Sequence, residues 1–165
     1  MPLGVLGAPP ARTLYPQLDG AKIRLGKHAN GLAQTQIQLY NATGGALTAN
    51  RLYVVTYAGS TTTAPNPRVI APATSTVEKY YVVSTAATAD ATWDWFILSG
   101  YATLGLEGTT NIDAGDSVKA VNGQVYVVKD STVQTAVSVA IALEAQAADS
   151  VVEKIAYMNG ERVTL

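Results

Sequence analysis

Short apolar stretches separated by turn residues run along most of the chain, and this pattern predicts β-strands. Residues 34–40 alternate apolar side chains with glutamines, which is the period of a strand with one buried face. Residues 51–57 and 77–84 are apolar on both sides of the alternation, so we expect both faces of these strands to be buried. Residues 41–46 are rich in Asn, Gly and Thr and predict a turn.

The middle of the chain holds its bulkiest apolar run and its longest polar connection. Residues 92–98 contain two tryptophans, a phenylalanine, an isoleucine and a leucine. Residues 101–106 continue the strand pattern after Gly100. Residues 59–72 are rich in Thr, Pro and Ala and low in apolar bulk, which predicts a long loop that could carry contacts.

Two Asn-Gly pairs predict tight hairpins. The pair at positions 122 and 123 separates the strand-like residues 117–121 from 124–128. A similar pair at 159 and 160 separates residues 151–158 from 162–165. Asn and Gly tolerate the positive φ angles of a two-residue type I′ turn, so we expect such a turn at 122–123.

Residues 135–148 are ambiguous between helix and strand. Their alanine content favours a helix. Valine, isoleucine or leucine nevertheless occupies every second position from 137 to 143, alternating with small or polar residues, and this favours a strand. We expect a strand that runs through Glu144 and is followed by a turn near Asp149 and Ser150.

Many short strands at hairpin spacing, with almost no helical pattern, predict an all-β fold: a compact antiparallel β-sandwich or barrel. We expect this β-rich domain to span residues 33–165. Residues 1–32 contain four prolines and five glycines, which disfavour regular structure. We therefore expect residues 1–32 to form an extended N-terminal arm.

Charge is scarce and unevenly distributed. Charged residues make up 14% of the chain and the formal net charge is −1. We therefore expect no nucleic-acid partner, because the chain has no excess of positive charge to attract phosphates. Residues 1–28 hold four basic residues against one acid, whereas the remaining residues hold seven basic and eleven acidic ones. The basic arm could dock on an acidic neighbour, although a solvated tail is the favoured interpretation.

The composition also bears on where the protein is made. The chain contains no cysteine, which fits folding in a reducing cytoplasm. Its first ten residues lack the basic start of a secretion signal, and glycine and proline interrupt their apolar stretch. No segment reaches the roughly 18 apolar residues of a membrane span. We expect a protein that is soluble in the cytoplasm where it is made, with no membrane partner.

Candidate chemical groups are thinly scattered. His28 is the single histidine and lacks a metal-site partner or triad mate by motif. Asp90 and Asp94 flank Trp93 and could form a glycosidase-type carboxylate pair. Structural roles are favoured, because Asp94 lies in the bulkiest predicted strand.

Asp113 and Asp116, with Glu107 nearby, could supply oxygen ligands for calcium. Their spacing does not match an EF-hand loop, and aspartates commonly hydrogen-bond within their own turns. We favour the turn-forming role. We therefore expect no catalytic residue, no cofactor and no metal.

The aromatic residues point to contacts rather than chemistry. The chain has nine tyrosines and two tryptophans against one phenylalanine. Tyrosine combines a large apolar ring with a polar hydroxyl, which suits both protein interfaces and sugar stacking. We expect packing in the core or between subunits and keep a sugar-binding platform as the alternative.

Three stretches resemble structural proteins of tailed-bacteriophage virions. Residues 39–47 (LYNATGGAL), followed by the strand at 52–55, resemble virion proteins in which an N-x-T-G turn precedes a strand. Residues 100–129, with IDAGDSVKAVNGQV, are similar to the β-module of capsid decoration (cement) proteins, where a G-D-x-V-K strand precedes a hairpin. Residues 139–145 (VAIALEA) resemble that family's G-I-A-L-E strand, with Val139 where glycine is usual.

The resemblance covers residues 34–165 and implies a non-enzymatic protein on the outer surface of the phage capsid. It implies the major capsid protein as a partner and self-association, often as a homotrimer, which clamps neighbouring capsid subunits. Deleting residues 1–30 is then expected to weaken attachment while leaving the fold intact. We assign capsid contacts to Arg12, Leu14, Tyr15, Lys22, Arg24 and Lys27. We assign the subunit interface to Tyr80, Tyr81, Trp93 and Trp95.

Other functions remain open. A carbohydrate-binding or host-adhesion module of a phage appendage would use Trp93, Trp95 or the tyrosines as stacking platforms. A tail-tube or fibre subunit would self-associate into open polymers rather than closed rings. An enzyme is the least favoured class, because no acid, base and nucleophile cluster by motif.

Overall fold

The computed structural model describes residues 21–56, 67–70, 80–131 and 138–158 of the chain. These residues form ten β-strands, and no helix that could cross a membrane occurs among them. In chain order the strands are β1 (Ile23–Lys27), β2 (Ala33–Asn41), β3 (Leu52–Thr56), β4 (Arg68–Ile70), β5 (Tyr81–Ser84), β6 (Trp93–Glu107), β7 (Ser117–Ala120), β8 (Val127–Lys129), β9 (Ser138–Ala142) and β10 (Val151–Met158).

Five strands close into a first ring through their hydrogen bonds. The circuit runs from β2 to β4, β3 and β5, then to the N-terminal half of β6, and back to β2. A buried apolar cluster joins these strands, and its burial supplies the main driving force for closing the ring. The cluster consists of Ile37, Leu39, Leu47, Tyr53, Val55, Val69, Tyr80, Val82, Phe96 and Leu98.

A second ring uses the C-terminal half of β6. It runs from β6 to β10, β9, β7 and β8, and closes through the parallel pairing of Leu106 in β6 with Val127 in β8. Four alanines are fully buried in this ring, at positions 102, 140, 142 and 156, beside larger buried side chains such as Leu104, Leu106 and Met158. Small side chains at some inward positions let the larger ones fill the limited interior of a five-stranded ring.

Strand β6 belongs to both rings, which meet at Gly100: this residue pairs with Gln34 of β2 and with Met158 of β10. Gly100 has a φ of +93°, and a Cβ at this position would lie 2.5 Å from the carbonyl oxygen of Ala33. Both constraints require glycine. The register between β2 and β6 also shifts between Thr35 and Gln36, so the pairing of the two strands is irregular beside Gly100.

Strands β3 and β5 separate the two cores and are buried on both faces. Tyr53 and Val55 belong to the cluster of the first ring, whereas Leu52 and Val54 belong to the cluster of the second. The same division holds across β5, where Val82 packs with the first ring. This confirms the expectation that both faces of these strands are buried.

The all-β prediction is confirmed, with two corrections to its details. The sheet is mixed rather than purely antiparallel, because β2 pairs with β4, and β6 with β8, in parallel. Residues 68–70, expected within a long loop, form β4, which lies between β2 and β3. This strand has three residues, too few for an alternation to stand out in the sequence.

The hairpin at Asn122 and Gly123 exists, but the type I′ turn was wrong. Gly123 has a φ of +70°, whereas Asn122 is absent from the positive-φ residues described. Pairing of β7 with β8 begins only at Ala120 and Val127. The residues between them contact the first ring instead, because the carbonyl of Val125 accepts a hydrogen bond from the Leu52 N–H of β3 at 2.8 Å. The second Asn-Gly pair lies outside the described residues.

The ambiguous segment is a strand, as expected, but it covers residues 138–142 and ends two residues before the expected end at Glu144. Ala140 and Ala142 are fully buried, whereas Ile141 is 36% and Leu143 39% exposed. Ala140 and Ala142 belong to the buried cluster of the second ring, and Ile141 lies on the opposite face of the strand. Val139 is also buried, beside a register shift in the pairing of β7 with β9.

Candidate binding surface

Strand β1, which lies within the range predicted as the arm, forms a hairpin with β2. Its five residues pair antiparallel with residues 33–37. The turn is closed by hydrogen bonds from the Gly31 N–H to the His28 carbonyl and from the His28 N–H to the Leu32 carbonyl, both 2.8 Å. Gly31 has a φ of +84°, a value that glycine adopts freely. Residues 21–32 are therefore attached to the first ring.

Arg24 joins β1 to the aromatic residues of β6. Its guanidinium carbon lies 4.0 Å from the centroid of the Trp95 ring, a cation–π contact worth about 0.5–1 kcal/mol at an exposed site. Its Nε donates to Oε1 of Gln36 at 2.8 Å. One residue assigned to the capsid contact and one assigned to the subunit interface thus touch each other within the same chain.

Two buried glutamines extend this contact towards the second ring. Nε2 of Gln36 donates to Oε1 of Gln34 at 2.9 Å, and Nε2 of Gln34 donates to the carbonyl oxygen of Tyr101 at 2.8 Å. Gln34 is 4% and Gln36 8% exposed. Gly26 makes room for this series, because a Cβ there would lie 2.8 Å from the amide of Gln36. We call Gln34 and Gln36 the glutamine pair.

An open cleft of about 250 Å³ lies beside the glutamine pair. His28 reaches across it, with Nε2 3.0 Å from the hydroxyl oxygen of Thr103 in β6. Most of the residues that line it are polar, and the lining includes Lys27, His28, Gln34, Gln36, Ile97 and Thr103. The sequence placed no function here, because the lining residues belong to strands that only the folded chain brings together.

Apolar and aromatic side chains are exposed around the same hairpin. Leu25 is 87% and Ile23 44% exposed on β1. On the neighbouring β2–β6 pair, Tyr40 and Trp93 lie opposite each other, with ring centroids 5.6 Å apart in an edge-to-face arrangement. Trp93 is 44% exposed. We call Tyr40, Trp93, Trp95 and Arg24 the aromatic strip.

The remaining residues assigned from sequence are divided between surface and core. Lys22 and Lys27 are exposed, as a contact role requires. Tyr80 and Tyr81 are core residues, 5% and 4% exposed, so they offer almost no surface to a second subunit. Arg12, Leu14 and Tyr15 lie outside the described residues.

The paired aspartates around Trp93 have structural roles, as expected. Asp94 accepts the hydroxyl proton of Thr88 at 2.5 Å and the backbone N–H of Trp95 at 2.7 Å. Asp90 accepts the N–H of Gly44 at 3.2 Å. Both carboxylates are engaged in holding the turns at this end of the first ring.

Asp116 closes its own turn, which confirms the turn-forming role. Its Oδ2 accepts the N–H of Asp113 at 2.8 Å and lies 2.7 Å from Nζ of Lys129. The hydrogen bond from Lys129 holds the pKa of Asp116 below its usual value. Across the described ranges, no group of three or more His, Asp or Glu side chains is arranged to hold a metal ion.

A second exposed row, on β6, β10 and β9, was missed. Tyr157 is 42% exposed and lies opposite Tyr101 on one side and Ile141 on the other. The two tyrosine rings meet edge to face at 5.3 Å. We call Tyr101, Tyr157, Ile141 and the exposed Leu143 the β10 row. The alternation at residues 137–143 predicts a strand but does not show which of its faces is exposed, so the sequence did not reveal this surface.

Comparisons with known proteins give one structural similarity. No protein-family model and no curated protein matches the chain. The crystal structure of the N base of head fibre gp8.5 of bacteriophage phi29 is similar, with 11% sequence identity and a TM-score of 0.49, over 79% of this chain and 98% of that one. At this identity and TM-score the similarity carries no argument about function.

Proposed function

We propose that this protein is a non-enzymatic structural protein of a tailed-phage virion. In this proposal it binds the outer surface of the capsid, as a trimer, and stabilises contacts between major capsid subunits. The observation that carries the proposal is the exposed hairpin edge, where Leu25 and Ile23 stand among Lys22, Arg24 and Lys27. Single exposed apolar residues are common, but apolar residues grouped with arginine and aromatic rings are typical of protein interfaces.

The motifs that resemble phage proteins support the proposal because their residues form turns that hold the fold together. In the N-x-T-G turn, Asn41 is fully buried and Gly44 has a φ of +83°. In the G-D-x-V-K segment, Asp116 binds Lys129 across the β7–β8 hairpin. These residues hold turns rather than contact a partner, so the resemblance concerns how the body is built. The contact surface has to be argued from exposure.

Self-association is assigned to the β10 row. Tyr157, Ile141 and Leu143 are 42%, 36% and 39% exposed on neighbouring strands, and cyclic symmetry would bury such a row against a second copy. We expect a molar mass by light scattering near three times 17.2 kDa. Leu143→Ser should lower that mass. A wild-type monomer contradicts the trimer, and open polymers favour the tube or fibre alternative.

Attachment is tested by co-sedimentation with expanded heads of the phage that encodes the chain. Leu25→Ser should weaken binding to heads at least about tenfold, because it removes the most exposed apolar contact. Its molar mass should stay that of the wild type, which separates a lost capsid contact from a lost trimer. Equal binding of Leu25→Ser and wild type, or no binding of the wild type, contradicts the proposal.

The exposed Trp93 keeps a carbohydrate-binding module as a second candidate. Its ring is 44% exposed beside Tyr40, as a sugar-stacking platform requires. Host-surface glycans should then protect tryptophan fluorescence from a soluble quencher, and Trp93→Ala should abolish the protection. Unchanged quenching with every glycan in an array of host-surface sugars excludes this function.

A further inference from the structure

We propose that the cleft between the β1–β2 hairpin and β6 is a binding site for a carboxylate, supplied by an acidic side chain of a protein partner. The site rests on the cleft alone, whereas the identity of that partner as the capsid rests on the proposed function. Three features of the cleft support this site: the protons that it offers, the occupied oxygens of the glutamine pair, and its charge.

His28 and Thr103 provide the first free donor. The Asn30 N–H points at Nδ1 of His28 at 3.4 Å, so the neutral ring that fits carries its proton on Nε2. That proton is donated to the hydroxyl oxygen of Thr103 at 3.0 Å. The hydroxyl proton of Thr103 is thereby left for another acceptor.

The glutamine pair provides two more donors. Each side-chain amide has two N–H protons, and the hydrogen bonds of Gln34 and Gln36 use one each. The oxygen of each amide already accepts a hydrogen bond, from Gln36 and from Arg24. Both side chains are more than nine-tenths buried, where an unmet N–H is unfavourable. An oxygen-rich ligand would satisfy both.

The charge of the cleft favours an anion. Lys27 lines it and has no acidic partner among the described residues, while Arg24 adjoins the glutamine pair. Glu153, which accepts a hydrogen bond from the cleft-lining Asn50 at 2.8 Å, is also paired with Arg51 at 3.1 Å. A neutral sugar needs acceptors as well as donors, and the amide oxygens of the glutamine pair are already occupied. A carboxylate, which only accepts, matches this arrangement.

The test follows the side-chain amide signals of Gln34 and Gln36 by ¹H–¹⁵N NMR. The probe is N-acetylglutamate N-methylamide, and its neutral control is the glutamine analogue of the same shape. The glutamate probe should shift both signals. Lys27→Gln and Thr103→Val should each raise its Kd about tenfold, because each removes a hydrogen bond to a charged group. Thr103→Ser, which restores the hydroxyl, should bind as the wild type does.

The matched control for charge is Lys154→Gln, which removes the same charge from β10, away from the cleft lining. Its Kd should remain within about twofold of the wild type. Four results overturn the site: equal shifts with the glutamine analogue, stronger binding of glucose, stronger binding of inorganic phosphate, or no shift below about 50 mM probe. If the protein binds phage heads but the glutamate probe shifts neither amide signal, only the carboxylate site is refuted. If the probe shifts the signals but the protein does not bind heads, only the proposed function is refuted.

Discussion

Asn41 shows how one side chain holds the end of the first ring. Its Nδ2 donates to the carbonyls of Gly45 and Ala89 at 2.8 and 3.0 Å, and its Oδ1 accepts the N–H and hydroxyl of Thr43 at 3.1 and 2.8 Å. The side chain therefore links its own turn to the turn before β6. Because Asn41 is fully buried, no water can replace these bonds without rearrangement.

Replacing Asn41 with alanine should destabilise the fold by about 2–4 kcal/mol, since part-buried carbonyls and an N–H would lose their partner. Denaturant unfolding followed by fluorescence measures the change. Asn111→Ala is the matched control, because Asn111 is exposed, and it should change stability by less than about 0.5 kcal/mol. Similar stability of the two variants would show that the Asn41 bonds contribute nothing net.

Gly100→Ala should destabilise the fold by at least about 2 kcal/mol, because it adds a Cβ at a positive φ and against a carbonyl oxygen. The added atom would lie 2.5 Å from the Ala33 oxygen. Gly45→Ala provides the control, since a Cβ there meets nothing within 4 Å, and it should be nearly neutral. Thermal unfolding of both variants measures the difference in stability. A Gly100→Ala protein as stable as Gly45→Ala would show that the positive φ and the contact with Ala33 do not require glycine at position 100.

At the scale of elements, local sequence patterns predicted the strands that show a clear signal. They failed where the structure depends on how strands pair within the two rings. Residues 34–40 were found because their side chains alternate, and residues 151–158 because they precede an Asn-Gly pair. The strand at 68–70 is too short to show a period. The buried face of β9 depends on its neighbours β7 and β10 in the second ring, which no local window contains. The cleft was missed for the same reason, since it needs β1, β2 and β6 together.

The β7–β8 hairpin should respond to pH through Asp116 and Lys129. Their hydrogen bond lowers the pKa of Asp116 from 3.8 and raises that of Lys129 from 10.5. A lowered acid pKa stabilises the fold fully above pH 3.8, and this stabilisation is lost as pH falls through the lowered pKa. The raised pKa of Lys129 stabilises the fold fully below pH 10.5, and this stabilisation is lost as pH rises through the raised pKa.

NMR titration of the Asp116 carboxyl measures this pKa directly. The wild type should titrate below 3.8, and Lys129→Gln should move the pKa back towards that value because the main cause of the shift is removed. Lys119→Gln is the control: Lys119 pairs with Asp130 at 3.6 Å instead, and it should leave Asp116 unchanged. An equal effect of both lysine variants would point to general charge rather than the pair.

At the scale of the whole molecule, two rings share one strand, and the basic hairpin is attached beside that strand. Arg24 bonds to β2 and stacks on β6, so β1 is part of the body as well as of the proposed contact surface. The expectation that residues 1–30 can be removed without affecting the fold therefore has to be tested with two separate deletions. One deletion spares β1 and the other removes it.

Deleting residues 1–20 keeps every described contact of β1, so stability should change by less than about 1 kcal/mol. Binding to phage heads should still fall at least about tenfold, because Arg12, Leu14 and Tyr15 are lost. Deleting residues 1–30 also removes β1 and uncovers Gln36, which should lower stability by roughly 2–4 kcal/mol. Denaturant unfolding and co-sedimentation separate the two effects. If the shorter deletion binds heads as tightly as the full chain, residues 1–20 are not a tether, and attachment resides in β1 and the aromatic strip.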